Sequence, residues 1–320
     1  MHGFDPHRVH LQIKEGPGPF FIFFLLIFRH LSSRIHNRNM APPPWLCHLL
    51  STVKNVSTGS VSRSAPVAWI HDPYSVSDVE YIESCVESSA FDTLGLQREL
   101  YEGFKAGTVA LEKKSSIYGS VMVLYAKDQP WAFPYKAVGA VMKLFYREGK
   151  PFRLLFFGSQ ARRTVPAPGE SVVAAHVNGG YTYPCNPQSV VVYRREEVVR
   201  VLIHECYHAS CSDPQGLDIP HVEADTEAWA EIVLCALAAR GRLPVFNRLF
   251  RAQMSHACGQ CKMLAEVYGV RNPSDYAWRY TIGKLNRWRA LGFKTPADNT
   301  YSGNSLRLTL EFPGVEDRQS

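Results

Sequence analysis

Residues 196–208 read Glu196-Glu197-Val198-Val199-Arg200-Val201-Leu202-Ile203-His204-Glu205-Cys206-Tyr207-His208, and the fold turns on them. Val198, Val201, Leu202 and Cys206 recur at helical spacing, and two carboxylates open the run, which suits the positive end of a helix. On that helix His204 and His208 stand one turn apart on one face, about 6 Å between Cβ atoms. Glu205 lies beside them without sharing their role. Two such imidazoles can grip one Zn²⁺, and a neighbouring carboxylate can take the proton of a metal-bound water. Helix histidines at this spacing also occur as packed or surface residues, so a third ligand has to be sought.

Eighteen residues separate His208 from Glu227, which sits in Ala224-Asp225-Thr226-Glu227-Ala228-Trp229-Ala230-Glu231. The apolar residues Val222, Trp229, Ile232, Val233, Leu234 and Leu237 predict a second helix, stopped by Gly241. The intervening Cys211–Pro220 holds two prolines and a glycine, as a chain reversal needs. A helix–loop–helix return of this length can bring Glu227 over the two histidines. Glu223 and His221 are the competing third ligands, in that order behind Glu227. Asp213 offers a shorter reach from a Pro-containing loop. Glu231, one turn past Glu227, is placed to accept a hydrogen bond from a ligand histidine or to lie on the surface. Three protein ligands would leave one coordination position open for water, the mark of a catalytic zinc site.

Together these residues resemble the gluzincin metallopeptidases, in which HExxH is followed after about eighteen or more residues by a ligand Glu on a second helix. Thr226-Glu227-Ala228-Trp229-Ala230-Glu231 is similar to the Asn-Glu-Gly-aromatic-Ala-Glu stretch of the aminopeptidase branch, with Thr226 and Ala228 departing from it. His221-Val222-Glu223-Ala224-Asp225 is similar to the Glu-x-x-Ala-Asp stretch of membrane-type gluzincins, with His221 in place of the ligand Glu. The run Tyr193–Ala209 resembles zincin-like proteins of large DNA viruses. The resemblance covers roughly residues 189–240. It implies His204, His208 and Glu227 as zinc ligands, Glu205 as general base, a peptide or protein substrate, and a sheet edge near Ser189–Tyr193 or the segment before it where an extended peptide pairs. The metzincin extension is absent, since Cys211 and Pro214 stand where it needs Gly and His. His256, Tyr268, Tyr276 and Tyr280 lie downstream as donors to an oxyanion, and each is equally explained as a packed or surface residue. The alternative is a zincin-fold protein whose metal holds a structural or interaction module without catalysis.

Outward from this centre the chain predicts an α+β fold: a mixed sheet beside the site-bearing helix, then a mainly helical lobe. Helices are expected over Ser75–Ser89 and Tyr135–Arg147, and strands over Ile117–Tyr125, Phe152–Phe157 and Ser189–Tyr193. Asn178-Gly179-Gly180 between Val172–Val177 and Tyr181–Pro184 predicts a hairpin. Pro244 opens a helix with an apolar stripe that runs into Cys258-x-x-Cys261, read as two helix cysteines. Asn272-Pro273-Ser274-Asp275 caps a last helix to Leu291, and Ser305–Phe312 is expected as a terminal strand. Trp278 and Trp288 among Lys284, Arg287 and Arg289 fit a solvated helix face better than a single-strand binder.

The 320 residues carry a net charge of +6, and Arg8, Lys14, Arg29, Arg34 and Arg38 against Asp5 and Glu15 account for half of it. The remainder is too mildly basic to mark a nucleic-acid surface. Residues 1–66 are expected to be a basic leader and linker, and 67–320 the folded domain, with its sheet lobe ending near 210. Residues 19–28 form an apolar run of ten, about half a bilayer span. It admits three readings: an interfacial or membrane anchor, a targeting leader, or residues upstream of a start at Met40. The eight cysteines are expected to be mostly reduced thiols, with an intracellular setting favoured.

Overall fold

A computed structural model describes residues 42–58, 67–88, 90–167, 169–296, 301 and 305–312. The apolar run at 19–28 and Met40 lie outside the described residues. Among the described residues no helix is long and apolar enough to cross a membrane.

The fold is α+β, with a six-stranded mixed sheet between two helical layers. The strands are β1 (Ile70–His71), β2 (Val109–Ser116), β3 (Gly119–Ala126), β4 (Phe152–Phe157), β5 (Gly180–Thr182) and β6 (Val190–Val192), in the order β1-β2-β3-β4-β6-β5. β3, β4 and β6 run parallel, Val121 opposite Leu154 and Leu154 opposite Val190. β2 and β5 are antiparallel to their neighbours. The parallel centre is buried on both faces, which is why Phe152–Phe157 and Val190–Val192 are almost continuously apolar.

Alternation of side chains sorts the two layers. Val121, Val123, Leu154, Phe156, Val190 and Val192 face one way. There they meet α4 (Tyr135–Phe145), α6 (Val198–Ala209), α7 (Ile219–Ala238) and α8 (Leu243–Val267). Met122, Leu124, Leu155, Phe157 and Val191 face the other way, onto α2 (Val76–Glu87) and α3 (Leu96–Lys105). Ser75 caps α2 reciprocally with Asp78: each side chain accepts from the other residue's backbone N–H.

Helix α1 (Pro44–Thr58) corrects the expected linker. Leu46, Leu49, Leu50 and Val53 recur at helical spacing and are all buried against the helical layer. The contact is close at Gly241, where a Cβ would stand 2.2 Å from the Leu50 carbonyl oxygen and φ is +69°. The folded domain therefore includes residues before 67.

Three further expectations change. Ala174–Val177 is a short helix (α5), and β5 pairs with β6 across residues 183–189, so Asn178-Gly179 is no hairpin turn. The glycines serve close packing instead. A Cβ on Gly180 would lie 2.6 Å from Val201 Cγ1 and 3.2 Å from Glu205 Cγ, so only a glycine lets this edge strand lie on α6. The last helix is broken into a single 3₁₀ turn (Tyr276–Trp278), a π-helical turn (Arg279–Gly283) and α9 (Lys284–Ala290). Residues 305–312 are not a strand, although Leu306, Leu308 and Phe312 are buried. The helix α3 and the strands β1 and β2 were not expected from the sequence. The β2 sequence VALEKKSS is too polar to register as a strand, but it pairs with β3 along eight residues.

Cys185 and Cys211, within an expectation of mostly reduced thiols, are joined in a disulfide with Cα atoms 4.5 Å apart. The bridge ties the β5–β6 connection to the end of α6, where the Cys185 N–H also donates to the His208 carbonyl at 3.0 Å. Cys47, Cys85, Cys206, Cys235, Cys258 and Cys261 are free, the last two buried on α8.

Candidate metal centre

Helix α6 is buried along its whole length, between the sheet on one side and α7 on the other. A buried helix cannot leave charged side chains unmatched, so every polar residue on it must find a partner. Arg200, His204 and His208 follow at four-residue spacing on one face. Opposite them on α7 stand Glu231, Glu227 and Glu223, also four apart. Arg200 Nη1 lies 2.7 Å from each oxygen of Glu227. His204 Nδ1 meets Glu227 Oε2 at 3.0 Å, and His204 Nε2 meets Glu223 Oε2 at 3.3 Å.

The two imidazoles turn their Nε2 atoms toward each other, 3.1 Å apart. Two ligands sharing a roughly tetrahedral Zn²⁺ at bond lengths of about 2.0–2.1 Å need a separation of about 3.3 Å. Glu223 Oε1 lies 3.7 Å from His208 Nε2. His204, His208 and Glu223 form the three-residue group able to hold a metal, with ligand atoms within 4.8 Å of one another. Each histidine is also backed at Nδ1, His204 by Glu227 and His208 by Asp213 Oδ1 at 2.7 Å. Such carboxylates fix the tautomer that frees Nε2 for a metal. Thr226 Oγ1 donates in turn to Asp213 at 3.2 Å. The donor set and its backing thus fit a zinc ion.

Glu227, expected as the third ligand, stands on the far side of the His204 ring, at Nδ1, and both its oxygens meet Arg200; the structure does not bring it to the point where the Nε2 atoms converge. Glu223, one turn earlier and partly exposed, reaches that point. His221 is exposed, hydrogen-bonded to Asp218 and set against Trp278 at 5.2 Å. Glu231 touches no histidine: it pairs with Lys284 and accepts from Gln253 Nε2 at 2.8 Å. Asp213, weighed as a short-range ligand, supports His208 from behind. The signal for these roles lay in the repeat Arg200/His204/His208, since a helix arginine in line with two histidines demands a carboxylate of its own.

Charge follows the same division. Burial opposes a charged His204, but Glu223 and Glu227 outweigh it and raise its pKa to about 10. Burial likewise opposes ionisation of Glu223, and His204 and His208 overcome it, lowering the carboxyl to about 2. Glu227 is driven well below the usual carboxylate range, against burial, mainly by Arg200. Glu205 behaves differently. Burial raises it to about 7, with His204 and His208 pulling the other way. Its side chain lies against Gly180 at the β5 edge.

His204, His208, Glu205 and Glu223 line one cleft of about 390 Å³, together with Gly180, Tyr181 and Thr182 of β5 and with Tyr276, Arg279 and Tyr280. The Tyr280 ring is 6.3 Å from His204. Tyr276 donates its hydroxyl to Asn178 Oδ1 at 2.7 Å. Of the other donors considered, His256 bonds the Arg307 carbonyl and Tyr268 bonds the Pro166 carbonyl, both away from the cleft. Comparison of the chain with protein-family models, curated proteins and solved structures returns no match.

Proposed function

We propose that the chain is a zinc-dependent metallopeptidase of zincin type. The observation that carries the proposal is the two-sided arrangement of the histidines: Nε2 atoms 3.1 Å apart beside Glu223, and each Nδ1 held by a separate carboxylate. A pair of packed histidines needs no such arrangement; a metal ligand pair does. The ligand set proposed is His204, His208 and Glu223.

Zn²⁺ bound by these residues would polarise a peptide carbonyl and lower the pKa of a coordinated water toward ~7. Glu205, adjoining both histidines in the cleft, would accept the water proton at its carboxylate and hand it to the departing amine nitrogen. The water oxygen bonds to the carbonyl carbon as the C–N bond breaks, leaving a carboxylate and an amine. Edge strand β5 supports a peptide as substrate. It ends the sheet, borders Glu205, and offers unpaired backbone groups to an extended chain.

The test uses the purified full chain. One zinc per chain is expected by metal analysis, and Glu205→Gln should keep the zinc while cleavage of a degenerate peptide library disappears. Absence of stoichiometric zinc overturns the proposal. Zinc without cleavage by the parent protein leaves a metal-holding module in its place.

A further inference from the structure

We infer that Arg279 is an anion anchor in the cleft and that the substrate presents a single carboxylate to it. This rests on the peptidase reading and goes further, because it assigns a substrate class to a residue outside the HExxH and glutamate pattern.

Arg279 opens the π-helical turn, and that turn is pressed against α7 beside Glu223. A Cβ on Gly283, at the end of the turn, would lie 2.8 Å from Ala224 Cβ, so the two segments touch at the residue after the ligand glutamate. Arg279 lines the cleft together with the histidines and Glu223. Its guanidinium carbon stands 4.8 Å from the centre of the Tyr276 ring. Tyr276 is itself held by Asn178, so the cation rests on a fixed platform.

The other cations near the site are committed. Arg200 is held by Glu227 and Glu197, and Lys284 by Glu231 and Glu227. Arg279 has no ion pair within contact distance among the described residues, and its buried Nε lacks a hydrogen-bond partner. A buried donor left unmatched is costly, and native structures tolerate one mainly where a ligand or water completes it. A carboxylate matches a guanidinium fork with two charge-assisted hydrogen bonds. A dianionic phosphate fits less well, because Glu205 and Glu223 line the same cleft. Peptides carry carboxylates in two places, the C-terminus and Asp or Glu side chains.

The experiment separates these sources and separates this inference from the peptidase reading. Zinc-loaded Glu205→Gln protein, which binds without turnover, is titrated with N-acetylated tripeptides as free acids and as C-terminal amides. A parallel arm uses amides with Glu or Gln at each position, and propionate, a monoanion, serves as a non-peptide probe. At least one carboxylate-bearing form should bind about 10-fold or more tightly than its neutral partner. The advantage should vanish in Arg279→Gln and return in part in Arg279→Lys, with zinc content and melting temperature unchanged in both. An equal affinity of charged and neutral peptides, or a preference that survives Arg279→Gln, overturns the inference while leaving the peptidase reading intact. Arg279-dependent binding of propionate without binding of any peptide keeps the anchor and removes the peptidase. Binding of neither peptides nor propionate overturns both.

Discussion

Glu223 and Glu227 differ by one helical turn on α7 and face the same histidine, yet they do opposite work. Both line the cleft, but Glu223 is partly exposed and meets the Nε2 side of His204. Glu227 is fully buried, meets the Nδ1 side and is clamped by Arg200, with Lys284 at 3.9 Å. Around Glu223 the negative charge is balanced chiefly by the histidines themselves. Around Glu227 a permanent network runs on through Arg200 to Glu197, and Glu197 in turn accepts from Thr309 N at 2.6 Å and pairs with Arg163 at 2.8 Å. One turn of helix therefore separates a partly exposed carboxylate facing two Nε2 atoms from a buried ion cluster. A buried charge with permanent cationic partners is held in place; one balanced by histidines is balanced by groups that can lose their charge.

The largest effect should come from the structural side. Glu227→Ala takes from buried Arg200 its close carboxylate and leaves only Glu197 at 3.7 Å, at a cost of about 3 kcal/mol in denaturant unfolding of the metal-free protein. A small change there would mean that the two glutamates are not so different. Next in size, Glu223→Ala should weaken zinc binding by more than about 100-fold, beyond the ~10–100-fold typical of residues that only back a ligand. Its metal-free stability should fall by less than in Glu227→Ala, since the histidines left behind can release a proton, which a buried arginine cannot. If instead Glu227→Gln abolishes metal binding while Glu223→Ala retains it, the assignment of the two is reversed.

The smallest effect calibrates the comparison away from the histidines. Asp78 caps α2 and is paired with Lys113 at 2.9 Å and Arg153 at 3.2 Å. Burial raises its pKa, but the Ser75 backbone and side chain and the Lys113 ammonium prevail and hold it at about 2. The ordinary Asp value is about 3.9. A depressed folded-state pKa adds stability that is complete above the unfolded value and is lost as pH falls through the folded one. Asp78→Asn should therefore cost about 1–2 kcal/mol at neutral pH, discounted for the part-exposed cations, and flatten the stability curve between about pH 4 and pH 2. Zinc content should not change.

Much of this protein was legible before its structure. The helix bearing His204 and His208 follows from apolar spacing alone, and so do the strand Phe152–Phe157 and the second acidic helix. Short-range periodicity reports these because each element buries most of its residues. Helix α1 was hidden by the Ser and Thr around it, although Leu46, Leu49, Leu50 and Val53 already kept the period. Asn178-Gly179-Gly180 misled in another way. Glycine serves both a turn and a close approach, and only the neighbouring Val201 and Glu205 reveal which.

Which glutamate meets the converging Nε2 atoms is what the sequence left open. Composition and spacing place Glu223, Glu227 and Glu231 on one face of α7, opposite Arg200, His204 and His208 on α6. They leave open how far one helix slides along the other. A slide of one turn, about 5.4 Å, exchanges the roles of neighbouring glutamates without altering a single pattern in the sequence. Tertiary packing sets that offset: the Cys185–Cys211 bridge holds the end of α6, Asp213 docks on His208, and Gly283 lets the π-helical turn close on Ala224. The chemistry of the site was written in its residue types, and the place of each residue in it was settled by contacts between segments far apart in the chain.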